Sequence, residues 1–219
     1  MTSANFSPAP SAQSCDGGFG RRRPHFRTRK RDRQQPPRVL GARAPMASWS
    51  PVTAVAPLCE AVKGSAAHHR ANAIDQIATI VDTSFGDEAS ELCEYLRQQG
   101  VVRALTELLG RAEPSLHQPA LRLFGNLASE AVDPRAALTK AEFKELGGFE
   151  KLLPYLFAAE WVSLVYALGA MQNTCLDADY VEIMQDMGIV PRLQELVRAG
   201  DEHVSKYARG CLTNVRVFR

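Results

Sequence analysis

No two of the five cysteines form a C-x-x-C pair, and an odd number argues against a closed disulfide framework. Most of Cys15, Cys59, Cys93, Cys175 and Cys211 fall on apolar helical faces, which reads as buried, reduced thiols in an intracellular protein. The histidines, His25, His68, His69, His117 and His203, show no H-x-x-x-H spacing and no cysteine partner at ligand distance, so no zinc site is expected. The adjacent His68 and His69 point to different faces of a helix and read as solvated surface. Residues 1–20 have no apolar run of the secretory type, so the glycosylation acceptor Asn5-Phe6-Ser7 carries no weight. Gly17-Gly18-Phe19-Gly20 follows no strand pattern and opens no helix, so it is not a phosphate cradle. From Pro51 onward there is no strand-like alternation. Charge is scarce in one place: Leu152–Met171 carries only Glu160 in twenty residues. Glu160 sits near the middle of that stretch and Pro154 near its start, which fits two buried helices rather than a membrane span. No catalytic constellation emerges, and neither enzyme activity nor a cofactor is expected.

What charge there is divides unevenly. Residues 1–50 hold ten Lys/Arg against Asp16 and Asp32, a net of +8, and the remainder nets −6. The first fifty residues also hold six of the thirteen prolines and few large aliphatics. Such a composition buries too little apolar area to offset ordering entropy, so a disordered basic arm is expected over residues 1–49. Its dense part runs through Arg21, Arg22, Arg23, Arg27, Arg29, Lys30, Arg31 and Arg33. That cluster reads as a nuclear localisation signal, a nucleic-acid-binding arm or part of a transit peptide. Met46-Ala47-Ser48 also offers an internal start, with a translated upstream leader before it.

Beyond the arm, three stretches align without a gap: Gly100-Val101-Val102-Arg103-Ala104-Leu105-Thr106-Glu107-Leu108-Leu109, Gly147-Gly148-Phe149-Glu150-Lys151-Leu152-Leu153-Pro154-Tyr155-Leu156 and Gly188-Ile189-Val190-Pro191-Arg192-Leu193-Gln194-Glu195-Leu196-Val197. Each begins with Gly, has Leu five residues on and ends in an apolar or aromatic pair. Ala follows at twenty residues (Ala120, Ala167, Ala208) and Asn at twenty-six (Asn126, Asn173, Asn214). The asparagines are 47 and 41 residues apart, a period that means a stacked-repeat solenoid. Each glycine lets the chain turn at positive φ. Counting back from Gln76 to Ser50 gives a degenerate first copy, with Gln76 in the Asn slot. Helices are read at Pro51–Val62, Ala66–Val81, Asp87–Gln98, Val101–Leu109, Leu116–Ser129, Phe149–Phe157, Glu160–Leu176, Ala178–Met187, Ile189–Ala199 and Asp201–Val217. One more begins near Thr139. Ser84-x-x-Asp87 and Thr139-x-x-Glu142 read as capping boxes, and Asp177 and Asp179 stand where they would cap a helix start. Extra length between Asn126 and Gly147 predicts a surface loop around Glu130–Ala137.

A unit of one short and two longer helices, with Gly before the second and A-x-x-x-x-x-N in the third, resembles the armadillo repeat; HEAT repeats are the near alternative. The resemblance covers roughly residues 50–219 and implies an all-α, right-handed α-solenoid of about four units, near 50–82, 87–129, 134–177 and 178–219. It implies a non-enzymatic scaffold or adaptor that holds an extended peptide or a helix in the groove lined by the third helices.

On those helices, positions four and seven residues before the Asn share its stripe. The candidate groove residues are Gln76, Arg122, Asn126, Tyr166, Asn173, Tyr207 and Asn214. Carboxamides both donate to and accept from a peptide backbone, so a ladder of them would hold a chain whatever its sequence. The same asparagines would equally serve by bonding to neighbouring helix ends. In the nuclear-import adaptor importin alpha, a Trp stands four residues before each Asn. Here Arg122, Gly169 and Gly210 take that place, which argues against the same mode of signal binding. Tyr166 and Tyr207 would supply aromatic walls instead, the glycines leaving room for ligand side chains.

The expected partner is therefore another protein. Opposite charges would let the arm fold back into the groove. Val215, Val217 and Phe218 have no successor to cover them, predicting an exposed apolar end face for self-association, or a truncated gene product. The alternative function is a nucleic-acid-associated protein using the Arg-rich arm, since the solenoid's own net charge disfavours nucleic acid. A cytoplasmic or nuclear location fits better than an organellar one.

Overall fold

The computed structural model describes residues 50–64, 66–175 and 178–217. The basic arm, Cys15, Asp177 and Phe218 lie outside them. Among the described residues the elements are α1 (Pro51–Lys63), α2 (Ala67–Thr83), α3 (Gly86–Gln98), α4 (Val101–Leu109), α5 (Pro114–Leu127), α6 (Ala136–Glu145), α7 (Gly148–Leu152), a 3-10 helix (Leu153–Phe157), α8 (Trp161–Thr174), α9 (Ala178–Asp186), α10 (Ile189–Val197) and α11 (Glu202–Val217). None is a strand.

The turn glycines act as the sequence requires. Gly100, Gly147 and Gly188 adopt φ of +70°, +60° and +66° at the N-caps of α4, α7 and α10. A side chain there meets the steric penalty of the left-handed region. Gly188 has nothing within 4 Å of where a Cβ would stand, so only the backbone term is at stake. Gly188→Ala should therefore lower stability by about 1–2 kcal/mol. Gly188→Asn should lose less, because Asn tolerates this conformation. Urea denaturation followed by circular dichroism checks both, and equal losses for the two variants would contradict the backbone explanation.

Apolar periodicity then decides which faces are buried. Helix α4 buries Val101, Val102, Leu105, Leu108 and Leu109, a stripe with helical spacing. Its equivalents in α7 and α10 bury Phe149 and Leu152, and Ile189, Leu193 and Leu196. The long helices stack in order, α2 on α5, α5 on α8 and α8 on α11, while α1 meets α4 and α4 meets α7. One hydrophobic core runs unbroken from Val55 to Val215. A hydrogen bond recurs along the stack: Tyr155 Oη donates to the Leu109 carbonyl at 2.8 Å, and Arg192 Nε to the Leu156 carbonyl at 3.1 Å. Leu109 and Leu156 hold the same place in successive copies, so each of these two segments ends on a donor from the next copy. The molecule is an α-solenoid.

The low-charge stretch breaks where Glu160 stands. Its carboxylate caps α8, accepting from Val162 N at 3.1 Å and Ser163 N at 2.7 Å. Among the described residues no helix is long and apolar enough to cross a membrane.

Three local expectations change. Thr139 is not an N-cap: it lies buried inside α6, where its hydroxyl accepts from Arg97 Nη1 at 3.1 Å. Ser84 is not one either, because its hydroxyl donates to the Ile80 carbonyl and closes α2. The loop before α6 is not purely surface: Val132 and Asp133 are buried in it. Asp179 falls in the first turn of α9, where Lys144 of α6 binds it at 2.5 Å. Cys59, Cys93, Cys175 and Cys211 are buried free thiols, and burial pushes Cys93 up to about 12, which keeps it protonated.

Candidate functional site

The sequence candidates all lie on the long helices α2, α5, α8 and α11, and each has a definite place there. Asn173 Nδ2 donates to the Gly125 carbonyl of α5 at 2.9 Å. Asn214 Nδ2 donates to the Gln172 carbonyl of α8 at 2.8 Å. Gly125 and Gln172 each immediately precede the ladder asparagine of their own helix, so the bond repeats at one step of the stack. Both asparagines are half-buried. Part of each carboxamide thus joins one unit to the next, and Asn214 Nδ2 also meets Cys175 Sγ at 3.6 Å.

Asn126 differs. It is 1% exposed, and its Nδ2 donates to the Asp82 carboxylate of α2. Asn126 and Asn173 are the penultimate residues of α5 and α8, and the penultimate residue of α2 is Asp82. The residue of α2 that meets Asn126 is thus Asp82 rather than Gln76. Gln76 stands six residues earlier, exposed on α2. Both helices of the first copy are longer: α1 has 13 residues where α4 has 9, and α2 has 17 where α5 has 14.

Arg122 of α5 bridges to α2. Its Nη1 reaches Asp75 Oδ1 at 2.7 Å and its Nη2 reaches Asp82 Oδ2 at 2.6 Å. Burial works against its charge, but the bond to Asp82 and the attraction of both carboxylates prevail, so its pKa lies above the ordinary arginine value. Around this bridge Ala71, Asp75, Gln118, Pro119, Arg122 and Tyr166 line a pocket of about 240 Å³. Tyr166 contributes an aromatic wall from α8, and burial raises its hydroxyl pKa. Three consecutive long helices thus converge on one polar cleft lined by the Asp75 carboxylate, the Arg122 guanidinium, the Gln118 carboxamide and the Tyr166 ring.

Tyr207 holds the corresponding position on α11, yet it is 3% exposed and sits under the Lys206 ammonium, 5.8 Å from its ring centroid. The room expected over Gly210 is filled by the Gln172 side chain, which a Cβ there would strike. Only the α2–α5–α8 portion brings sequence candidates Arg122 and Tyr166 to one cleft. Asp75 and Asp82 were missed. Their signal was Arg122 itself, a cation in a stripe otherwise of Asn, Tyr and Gly, where a largely buried arginine requires carboxylate partners. Among the described residues no three His, Cys, Asp or Glu side chains group to hold a metal ion.

No protein-family model matches the chain, and no curated protein does. Its fold has solved counterparts. Two engineered proteins from the Northeast Structural Genomics Consortium superpose with TM-scores of 0.63 and 0.60, each at 23% identity. They cover 74% and 75% of this chain, and 37% and 64% of their own. A designed armadillo repeat protein in complex with the peptide (KR)4 superposes with a TM-score of 0.58 at 20% identity, over 76% of this chain and 65% of its own. This is an armadillo-like solenoid. The chain spans between about a third and two thirds of the length of these proteins. At such identities the likeness is one of fold.

Proposed function

We propose that this armadillo-like chain is a binding scaffold whose third-helix face holds an extended segment of another protein. The observation that carries this reading is the cleft where α2, α5 and α8 converge, with the half-buried Asn173 and Asn214 on the long helices α8 and α11. A groove wall made of spaced carboxamides suits an extended backbone, which offers a donor and an acceptor at every residue. Pockets beside the ladder then read the side chains. The designed armadillo protein of the same fold is recorded with a peptide, which supports this use of the architecture.

Panning a displayed library of extended peptides on the full chain, then measuring affinity by fluorescence anisotropy, tests the proposal. Asn173→Ala with Asn214→Ala should weaken the selected peptides roughly tenfold, because each net hydrogen bond contributes about 0.5–1.5 kcal/mol. Gln194→Ala, exposed on α10, should leave affinity unchanged. Thermal melts separate lost binding from lost folding, since both asparagines also bond within the protein. Peptides indifferent to the double variant would refute a groove mode.

A further inference from the structure

We propose that the outer face of α10 and α11, turned away from α8, is a docking surface for an acidic amphipathic helix of a partner protein, held by Lys206, Arg209 and Arg216. This face is separate from the cleft between α2, α5 and α8, and its test does not depend on the groove reading.

The repeat itself singles this face out. Counting back 41 residues, the spacing of Asn214 from Asn173, Lys206, Arg209 and Arg216 correspond to Val165, Leu168 and Cys175 of α8. Those three are fully buried, because the next unit packs on them. Cys211 Sγ donates to the Leu168 carbonyl at 3.6 Å, and Asn214 Nδ2 meets Cys175 Sγ at 3.6 Å. One copy earlier, 47 residues back, Leu121 and Ala128 stand in the places of Leu168 and Cys175 and are also buried. On α11 the same positions are exposed cations. They share one stripe at helical spacing, opposite the buried stripe of Val204, Ala208, Cys211 and Val215. Helix α10 repeats the pattern. Val190, Gln194 and Val197 correspond to the buried Phe149, Leu153 and Leu156, yet Gln194 is exposed and both valines are only half-buried.

Charge and shape then choose the occupant. A polar outer face on a terminal repeat keeps a solenoid soluble, and mixed charges suffice for that. Here the stripe has one sign, on a body that nets −6 over residues 51–219. Among the described residues no carboxylate pairs with Lys206, Arg209 or Arg216. Lys206 and Arg209, three residues apart on a helix, repel each other, a cost that an acidic partner removes. Two copies of this face would meet as like charges, which disfavours symmetric pairing. The stripe runs ten residues, about 15 Å of helix. A nucleic-acid strand longer than that would run onto the acidic body and leave Val190 and Val197 unused. A helix with a glutamate or aspartate flank uses both: its apolar side meets the valines, and its acids meet α11. It would lie where each inner copy already receives a helix, as α5 receives α8 and α8 receives α11.

The test uses the full chain and three fluorescein-labelled probes: an amphipathic helical peptide with a leucine stripe flanked by glutamates, the same peptide with glutamine at every glutamate, and a short single strand of thymidine nucleotides. The glutamate peptide should bind the wild type roughly tenfold more tightly than the glutamine peptide, the sum of three modest surface ion pairs. Raising the salt concentration should shrink that preference. Arg209→Gln with Arg216→Gln should remove most of it. Lys63→Gln with Arg111→Gln makes the same change in net charge at exposed sites on other units and should leave it intact. Thermal melts of both double variants should match the wild type, since all four side chains are exposed. Equal affinity for the two peptides, or a preference that survives Arg209→Gln with Arg216→Gln, would overturn the proposal. A thymidine strand that binds more tightly than the glutamate peptide, and is lost with the same variant, would overturn it in favour of nucleic acid. No binding of any probe would leave this face a solvated cap and overturn the docking role.

Discussion

Replacing Asp133 by alanine is expected to remove about 3 kcal/mol of the solenoid's stability, the lower end of the range for breaking a buried ion pair. Asp133 is 0% exposed in the loop between α5 and α6. Its Oδ2 meets Arg97 Nη1 of α3 at 2.5 Å, and its Oδ1 accepts from Ser90 Oγ at 3.2 Å and from Arg135 N at 2.9 Å. One carboxylate thus fixes the loop, the start of α6 and the flank of α3. Without it the Arg97 guanidinium stays buried with a charge only partly answered by Glu94 at 2.9 Å and by the Thr139 hydroxyl. That remaining partner keeps the loss near the lower end. Urea denaturation should show a lower midpoint at an unchanged slope. Adding Arg97→Met should recover part of the loss, because removing both charges also removes their desolvation cost. A loss under about 1 kcal/mol for Asp133→Ala would mean that desolvation already cancels the pair's attraction.

That network also marks where reading the sequence stops. The glycine turns were visible because each is a local demand: a left-handed residue before a helix needs no distant partner, so Val101–Leu109 emerged with its observed bounds. The break at Glu160 was visible as the one charge in an apolar stretch, and that carboxylate caps α8 by reaching only two and three residues ahead. Thr139 misled because a Thr-x-x-Glu pattern also fits a helix interior. What starts α6 is a loop folded onto Arg97, 36 residues before Asp133. The candidate site divides likewise. Arg122 and Tyr166 followed from helical spacing and share a cleft. Asp75 and Asp82 depended on the register between α2 and α5, which the longer α1 and α2 shifted out of the repeat count. The asparagines' double use followed from geometry between units: a carboxamide at the end of one long helix falls beside the last carbonyls of the one before it.

The glycine pair at the start of α7 carries the other large effect, centred on Phe143. Its ring is fully buried and stacks on Phe124 of α5, with centroids 3.8 Å apart and planes at 25°. Phe143→Ala should cost about 3–5 kcal/mol, from lost transfer energy and the cavity left behind. Gly147 supplies the left-handed turn, while Gly148 answers a different need: a Cβ there would collide with the edge of the Phe143 ring, which stacks on Phe124. Gly148→Ala alone should therefore cost about 1–3 kcal/mol through overpacking. In the Phe143→Ala background the obstacle is gone. The same change should then be neutral, or favourable by about 0.5–1 kcal/mol from helix propensity alone. The four proteins form a cycle whose coupling should exceed about 1 kcal/mol, as expected for residues in direct contact. Urea denaturation of all four supplies the numbers, provided the slopes agree. Additive losses would show that the backbone at Gly148, not the ring against it, excludes a side chain there.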